Sequence, residues 1–364
     1  ISPSTYIITV GTNLKKNSKK PNLSHIRDAS KKIGKNLKKN DLVILRSTLP
    51  VGCTRTVVIP NIEKNSNLKA GKDFYVSFAP ERTAEGKALI ELKENPQIIG
   101  GLDDVSSQLT ANIFNTFTHS IINVSSLENA EFCKLVDNSY RDHRFAFVNQ
   151  LLDFCDKKNI DIYEIIHSVN HGYKRNDIPY PSPGVGGPCL TKDPYILANN
   201  LIEKKSPSFL INNIRKTNEY GPKYIFNKLN RMLKKIDKKI FNSKIFIMGL
   251  AFKGDPKTSD LRSSTSLDFI NLFPNKKNLY VYDPMIYKTD LKRHHLKSVD
   301  LKKGFYKTDA VIILNNNKNF QDIDLRNLMN KMNKPSIFID AWRIFDPHEI
   351  KQIKGVLYGG LGVE

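Results

Sequence analysis

Between Gly184 and Asp193 the chain reads Gly184-Val185-Gly186-Gly187-Pro188-Cys189-Leu190-Thr191-Lys192-Asp193, a cysteine behind a glycine run with a cation and an acid just beyond it. Glycines let a backbone approach a bulky ligand closely because no Cβ intervenes. A thiol presented there beside an ammonium can ionise and attack a carbonyl carbon. A turn followed by a structural cysteine would use the same residues, so the rest of the chain must decide. A second group lies upstream, where Glu131, Lys134 and Asn138 recur at i, i+3 and i+7 and share one helix face. Spacing alone reads as a solvated charged stripe, whereas an ammonium and an amide aimed together stabilise a developing oxyanion. A third, Phe78-Ala79-Pro80-Glu81-Arg82-Thr83-Ala84-Glu85-Gly86, follows a strand pattern, where acids of a parallel sheet meet ligands.

These residues need elements to hold them. Strand patterns occur at Tyr6–Val10, Leu42–Leu45, Phe74–Phe78 and Gln97–Ile99, with a helix after Leu23 for which Ser24 is the expected N-cap. That order predicts part of a parallel α/β layer. Ser125-x-x-Glu128 reads as a capping box opening a long helix, with apolar positions at helical spacing from Phe132 through Leu152. A helix is expected from about Lys192, and a second long one over Phe209 to Lys235, interrupted or kinked at Gly221-Pro222. Further strands are expected at Lys244–Met248, Leu279–Tyr282, Ala310–Leu314 and Ser336–Ile339, a second α/β unit. No Gly-x-Gly-x-x-Gly follows a strand in the first half.

With 40% hydrophobic and 26% charged residues, the composition is that of a globular protein, and no apolar run approaches the ~20 residues that span a bilayer. The net charge of +21 comes from lysine clusters without interleaved aromatics, which argues against a nucleic-acid module and for a general attraction of anionic nucleotides. Cys53, Cys133, Cys155 and Cys189 form no metal or disulfide spacing, and the eight histidines form no ligand pair, so a reducing cytoplasm and no metal are expected.

Taken together these strings resemble the nucleotide-sugar 6-dehydrogenases, which oxidise C6 of a UDP-sugar to a carboxylate with NAD. Asn129-Ala130-Glu131-Phe132-Cys133-Lys134-Leu135-Val136-Asp137-Asn138 is similar to the family's central helix, and Pro80-Glu81-Arg82 to its Pro-Glu-Arg box. Arg46-Ser47-Thr48-Leu49-Pro50 resembles its Ser-Thr-x-Pro turn, and Gly249-Leu250-Ala251-Phe252-Lys253-Gly254 with Asp260-Leu261-Arg262 its UDP-binding loop. Tyr282-Asp283-Pro284 and Asp340-Ala341-Trp342-Arg343 match the flanking strand ends. The resemblance implies Cys189, Lys134, Asn138, Glu81 and Asp193 as catalytic residues. It implies Thr48, Glu85, Lys192 and Arg262 at the NAD cofactor, and Glu81, Arg82, Arg175, Gly186, Phe252 and Lys253 at the substrate.

The implied fold is two Rossmann-like α/β domains joined by a central helical domain: 1–122 for NAD, 123–238 with the nucleophile loop and a homodimer interface, and 239–364 for the UDP-sugar. The chain departs from the family pattern in three places. The first domain lacks its initial βαβ unit and glycine fingerprint, as in a truncated chain; Cys53 replaces a threonine after Pro50; and Gln150 replaces a glutamate. The glycine-loop wording resembles the UDP-N-acetylmannosamine branch more than the UDP-glucose branch, which implies a role in polysaccharide biosynthesis. UDP-glucose oxidation, or a UDP-sugar-binding fragment without NAD affinity, are the alternatives.

Overall fold

The computed structural model describes residues 3–363. They form two compact units, residues 3–140 with Lys192–Asn212 and Arg141–Thr191 with residues 213–363.

The first unit carries a five-stranded sheet, β1 (Thr5–Ile8), β2 (Leu42–Leu45), β3 (Tyr75–Phe78), β4 (Gln97–Gly101) and β5 (Ile121–Val124), in sequential order. Its helices are α1 (Ser24–Asn36), α2 (Ile59–Ser66), α3 (Ala88–Glu94) and α4 (Asp104–Phe114). β2 reads Leu-Val-Ile-Leu and is buried along its whole length, as expected of a strand covered on both faces. Because side chains alternate, Val43 and Leu45 pack with Ile26, Val58 and Ile62 towards α1 and α2, while Leu42 and Ile44 pack with Ile99 and Phe114 towards α4. β1, β2 and β3 are parallel, but β4 runs antiparallel to β3 in the register Phe78↔Gly100. The expected parallel layer is thus interrupted between β3 and β4. The reversal brings Gln97, the first residue of β4, to the chain leaving the carboxyl end of β3, where its Nε2 donates to Pro80 O at 3.2 Å.

Several expected boundaries shift. Ser24 is the first residue of α1 rather than its N-cap, and the cap-like acceptor is Asn22, whose Oδ1 takes the Ser24 N–H at 3.1 Å. The long central helix α5 is Leu127–Asn149, and its start is held by Ser126 Oγ, which accepts from Asn129 N at 3.1 Å, one residue later than the expected Ser125 cap. Glu128 turns instead to Arg55 at 2.7 Å. The pattern through Leu152 is divided between α5 and α6 (Leu152–Lys158), followed by α7 (Ile162–Asn170).

Helix α8 (Asp193–Glu203) belongs to the first unit, and helix α9 is Phe209–Lys235. α9 keeps Pro222 inside one helix, so of the interruption or kink expected there the interruption does not occur. Proline withdraws the N–H that would serve the carbonyl four residues back, here that of Asn218. Gly184 fits against that carbonyl: a Cβ on Gly184 would lie 2.6 Å from Asn218 O, and one on Gly221 2.5 Å from Gly184 N. The Gly-Pro pair therefore serves a close approach of loop to helix.

The second unit carries a fully parallel sheet of β6 (Ile245–Met248), β7 (Leu279–Tyr282), β8 (Ala310–Ile313), β9 (Ser336–Asp340) and β10 (Val356–Gly360), ordered β10-β9-β8-β6-β7. Ile245 and Ile247 face one core and Phe246 and Met248 the other. The strand order reverses direction at β6 and β8, the place where such sheets open a ligand crevice. Helix α10 (Thr265–Asn271) begins at Ser264, whose hydroxyl accepts from Ser266 N at 3.2 Å and donates to Leu250 O at 2.6 Å.

Candidate active site

In the first unit, one face of α5 reaches three segments. Glu131, Lys134 and Asn138 are all buried, so the stripe that spacing reads as solvated is an interior one. Glu131 accepts from Gly52 N at 2.5 Å, Thr54 N at 2.8 Å and Thr54 Oγ1 at 2.6 Å, tying down the turn that carries Ser47 and Thr48. Burial pushes its carboxyl up to about 7, against the pull of those same donors. Lys134 Nζ donates to the main-chain carbonyl of Glu81. Asn138 Nδ2 donates to Asp193 Oδ2 at 2.6 Å, and Lys192 Nζ meets Asp193 Oδ1 at 2.5 Å. Asp193 is fully buried at the first turn of α8, where a carboxylate suits the helix dipole.

Glu81, Arg82 and Glu85 follow β3. The Glu81 carboxylate accepts from Thr83 N at 2.7 Å and pairs with Arg46 at the end of β2. Burial raises its pKa, but the Arg46 hydrogen bond and charge and the Thr83 N–H outweigh that and hold it below the usual carboxylate range. Arg82 Nε lies 4.0 Å from Asp137, and Glu85 is exposed in the following turn. Thr48 is half-buried beside Ser47, and Thr12, just after β1, is buried with its hydroxyl unpartnered among the described residues.

In the second unit the glycine loop runs over Ser263 and Phe252. Gly187 has φ +91° and donates to Ser263 O at 3.0 Å, and a Cβ there would stand 2.7 Å from the Phe252 ring. A Cβ on Gly186 would lie 2.5 Å from Ser263 O. Cys189 is exposed on this loop, and none of the four cysteines is in a disulfide. Behind the loop stands a buried polar rack that the sequence reading missed. Arg215 Nη1 pairs with Asp142 at 2.5 Å, and its Nη2 reaches Val185 O at 3.4 Å. Asn218 Nδ2 donates to Asp142 Oδ1 at 2.8 Å, and Asn149 links Asn218 to Ser182.

Arg141, Phe145, Gly186, Phe252, Lys253 and Trp342 line a cavity of about 230 Å³. The Lys253 loop is held from two sides. Asp283 Oδ2 accepts from Leu250 N at 2.7 Å and Ala251 N at 3.0 Å, and Asn316 Oδ1 from Gly254 N at 2.9 Å. Arg262 is exposed and turned onto Asp260 at 2.6 Å, while Arg175 is exposed over the Tyr173 ring. No group of three metal-ligating side chains occurs among the described residues, and no helix is long and apolar enough to cross a membrane.

Comparison with known proteins gives this arrangement its class. Residues 3–118 match the NAD binding domain of the UDP-glucose/GDP-mannose dehydrogenase family, 128–220 its central domain and 246–347 its UDP binding domain. The chain is 34% identical over 329 residues to the UDP-N-acetyl-D-mannosamine dehydrogenase of Campylobacter jejuni, covering 87% of this chain and 78% of that one. A solved structure from Pyrococcus horikoshii, a UDP-D-ManNAc dehydrogenase, is 31% identical and superposes with a TM-score of 0.87 over 98% of this chain and 81% of its own. The NDP-N-acetyl-D-galactosaminuronic acid dehydrogenase of Methanosarcina mazei is 26% identical with a TM-score of 0.83, over 99% and 78%. The chain belongs to the UDP-glucose/GDP-mannose dehydrogenase family, NAD-dependent dehydrogenases of nucleotide sugars.

The residues present fit the cofactor at the carboxyl edge of the first sheet. Thr12, Ser47 and Thr48 place small hydroxyls at the ends of β1 and β2, and the buried, unpartnered Thr12 Oγ1 is an atom that a polar ligand satisfies.

Proposed function

We propose that the chain catalyses the four-electron oxidation of C6 of a UDP-N-acetylhexosamine, UDP-N-acetyl-D-mannosamine foremost, to the uronate. The observation that carries this reading is the buried face of α5, where Lys134 and Asn138 are held by Glu81 and Asp193, the latter four residues beyond Cys189. NAD, when bound, supplies the hydride acceptor for both oxidations. Asp193, Lys134 or a bound water takes the proton of the C6 hydroxyl in the first. The Cys189 thiolate then adds to the aldehyde carbon, forming the C–S bond as the carbonyl electron pair moves to oxygen. Loss of the C6 hydride and hydroxyl proton from this thiohemiacetal leaves a thioester. Glu81, anionic at neutral pH, takes a proton from the water that attacks the thioester. Collapse breaks the C–S bond and frees the uronate and the thiolate. Lys134 and Asn138 stabilise the oxyanions, each such donor being worth roughly 3–4 kcal/mol.

In this reading Thr48, Glu85, Lys192 and Arg262 hold the cofactor, and Arg82, Arg175, Gly186, Phe252 and Lys253 the nucleotide sugar. Residues 1–122, 123–238 and 239–364 act as NAD, central and UDP-sugar domains. The exposed Phe132, Val136 and Tyr140, spaced by four along α5, support a homodimer through the central helices. The test is NADH release with UDP-N-acetylmannosamine, UDP-N-acetylglucosamine and UDP-glucose in turn. Two NADH per sugar with the manno epimer are expected, and Cys189→Ser should yield no uronate. No NADH with any sugar, or normal uronate from Cys189→Ser, sinks the reading.

A further inference from the structure

We propose that Arg46 is a positioning residue for Glu81, fixing its carboxylate as an anion at the carboxyl end of β3 in readiness for thioester hydrolysis. The proposal rests on the reading of Glu81 as the base. Arg46 directly follows β2, immediately before Ser47-Thr48, and its side chain is only 9% exposed. Three contacts hold it. Nη1 donates to Gln97 Oε1 at 3.0 Å, the guanidinium lies 4.9 Å from the Phe114 ring centroid, and Nη2 pairs with Glu81 Oε2. Gln97 is itself pinned, its Nε2 donating to Pro80 O at 3.2 Å and Ile98 O at 2.8 Å. The anchor thus exists because β4 runs antiparallel to β3 and starts where β3 ends.

A planar fork that spans two acceptors while stacked on a ring fixes both direction and charge, which a lysine does not do. Other groups facing Glu81 make further contacts. Lys134 from α5 binds its main-chain carbonyl, Thr83 N holds the second carboxylate oxygen, and Arg82 leans towards Asp137. Arg46 pairs with the carboxylate itself, against a burial that favours the neutral acid.

The experiment titrates the Glu81 carboxyl by 13C NMR in the full chain, assigned with Glu81→Gln, for wild type, Arg46→Gln and Arg46→Lys. It needs neither sugar nor NAD, so its outcome is independent of whether the chain oxidises a sugar. Arg46→Gln is expected to raise the titration by about one pH unit or more, and Arg46→Lys by less. In turnover the acid limb should follow, its midpoint moving up by the same amount, about one pH unit or more, in Arg46→Gln. A merely structural role would lower kcat without moving that limb. Should Arg46→Gln not fold, Arg46→Lys is read instead. An unmoved Glu81 titration in whichever variant is read overturns the proposal.

Discussion

Glu131 offers a sharp physical test because its fully buried carboxyl stands at about 7 rather than 4.5. Between those two values the folded protein holds a proton that the unfolded chain has released. Stability must therefore fall as pH rises through this window, opposite to the usual behaviour of a salt-bridged carboxylate. A displacement of this size corresponds to about 3 kcal/mol, present in full below pH 4.5 and lost above 7. Glu131→Gln removes the titration while keeping a carbonyl oxygen for the Thr54 donors, and its amide stands in for the protonated acid. The assay is urea denaturation of both proteins from pH 4.5 to 8, followed by far-UV circular dichroism, since the sole tryptophan, Trp342, reports on the other unit. The stability of wild type minus that of Glu131→Gln should decline by about 3 kcal/mol from pH 4.5 to 8. A flat difference would refute the reasoning. A rising one would mean that the Gly52 and Thr54 donors outweigh burial and hold the native carboxylate below its ordinary range.

Two perturbations of the second unit follow. Gly187→Ala places a Cβ 2.7 Å from the Phe252 ring at φ +91°, so Phe252 must move. A left-handed residue costs roughly 1–2 kcal/mol of stability, and UDP affinity by calorimetry should fall because the Phe252 ring is displaced; unchanged affinity would place Phe252 outside the site. Arg215→Ala leaves Asp142, fully buried, without its cation. Breaking such a pair costs roughly 3–5 kcal/mol, visible as a lower denaturation midpoint, and a loss below about 1 kcal/mol would mean that water reaches Asp142.

Much of the fold was legible because burial leaves a local trace. β2, β6 and β8 are short apolar runs, and apolar runs are what strands covered on both faces require. β5 and β10 were missed for the converse reason. Ile121–Val124 has no fully buried residue, and Val356–Gly360 ends in two glycines, so neither carries a strong pattern. Why Pro222 does not end the helix was not legible, because the missing hydrogen bond is local whereas the glycine loop packed on the freed carbonyl is not.

By itself the sequence determined the chemistry-bearing strings: a cysteine in a glycine loop, Glu81 after a strand, and Lys134 and Asn138 on one turn-related face of a helix. Those are matters of residue type and spacing within one element. Only the tertiary structure decided that this face is interior and that Asn138 meets Asp193 across 55 residues. It alone placed Arg46 on Glu81 and Gln97 behind both, and set Arg215 and Asp142 behind the glycine loop. Charged residues look alike in sequence whether solvated or buried, because what separates them is the partner supplied by a distant element, and the energy of a buried ion lies almost wholly in that partner.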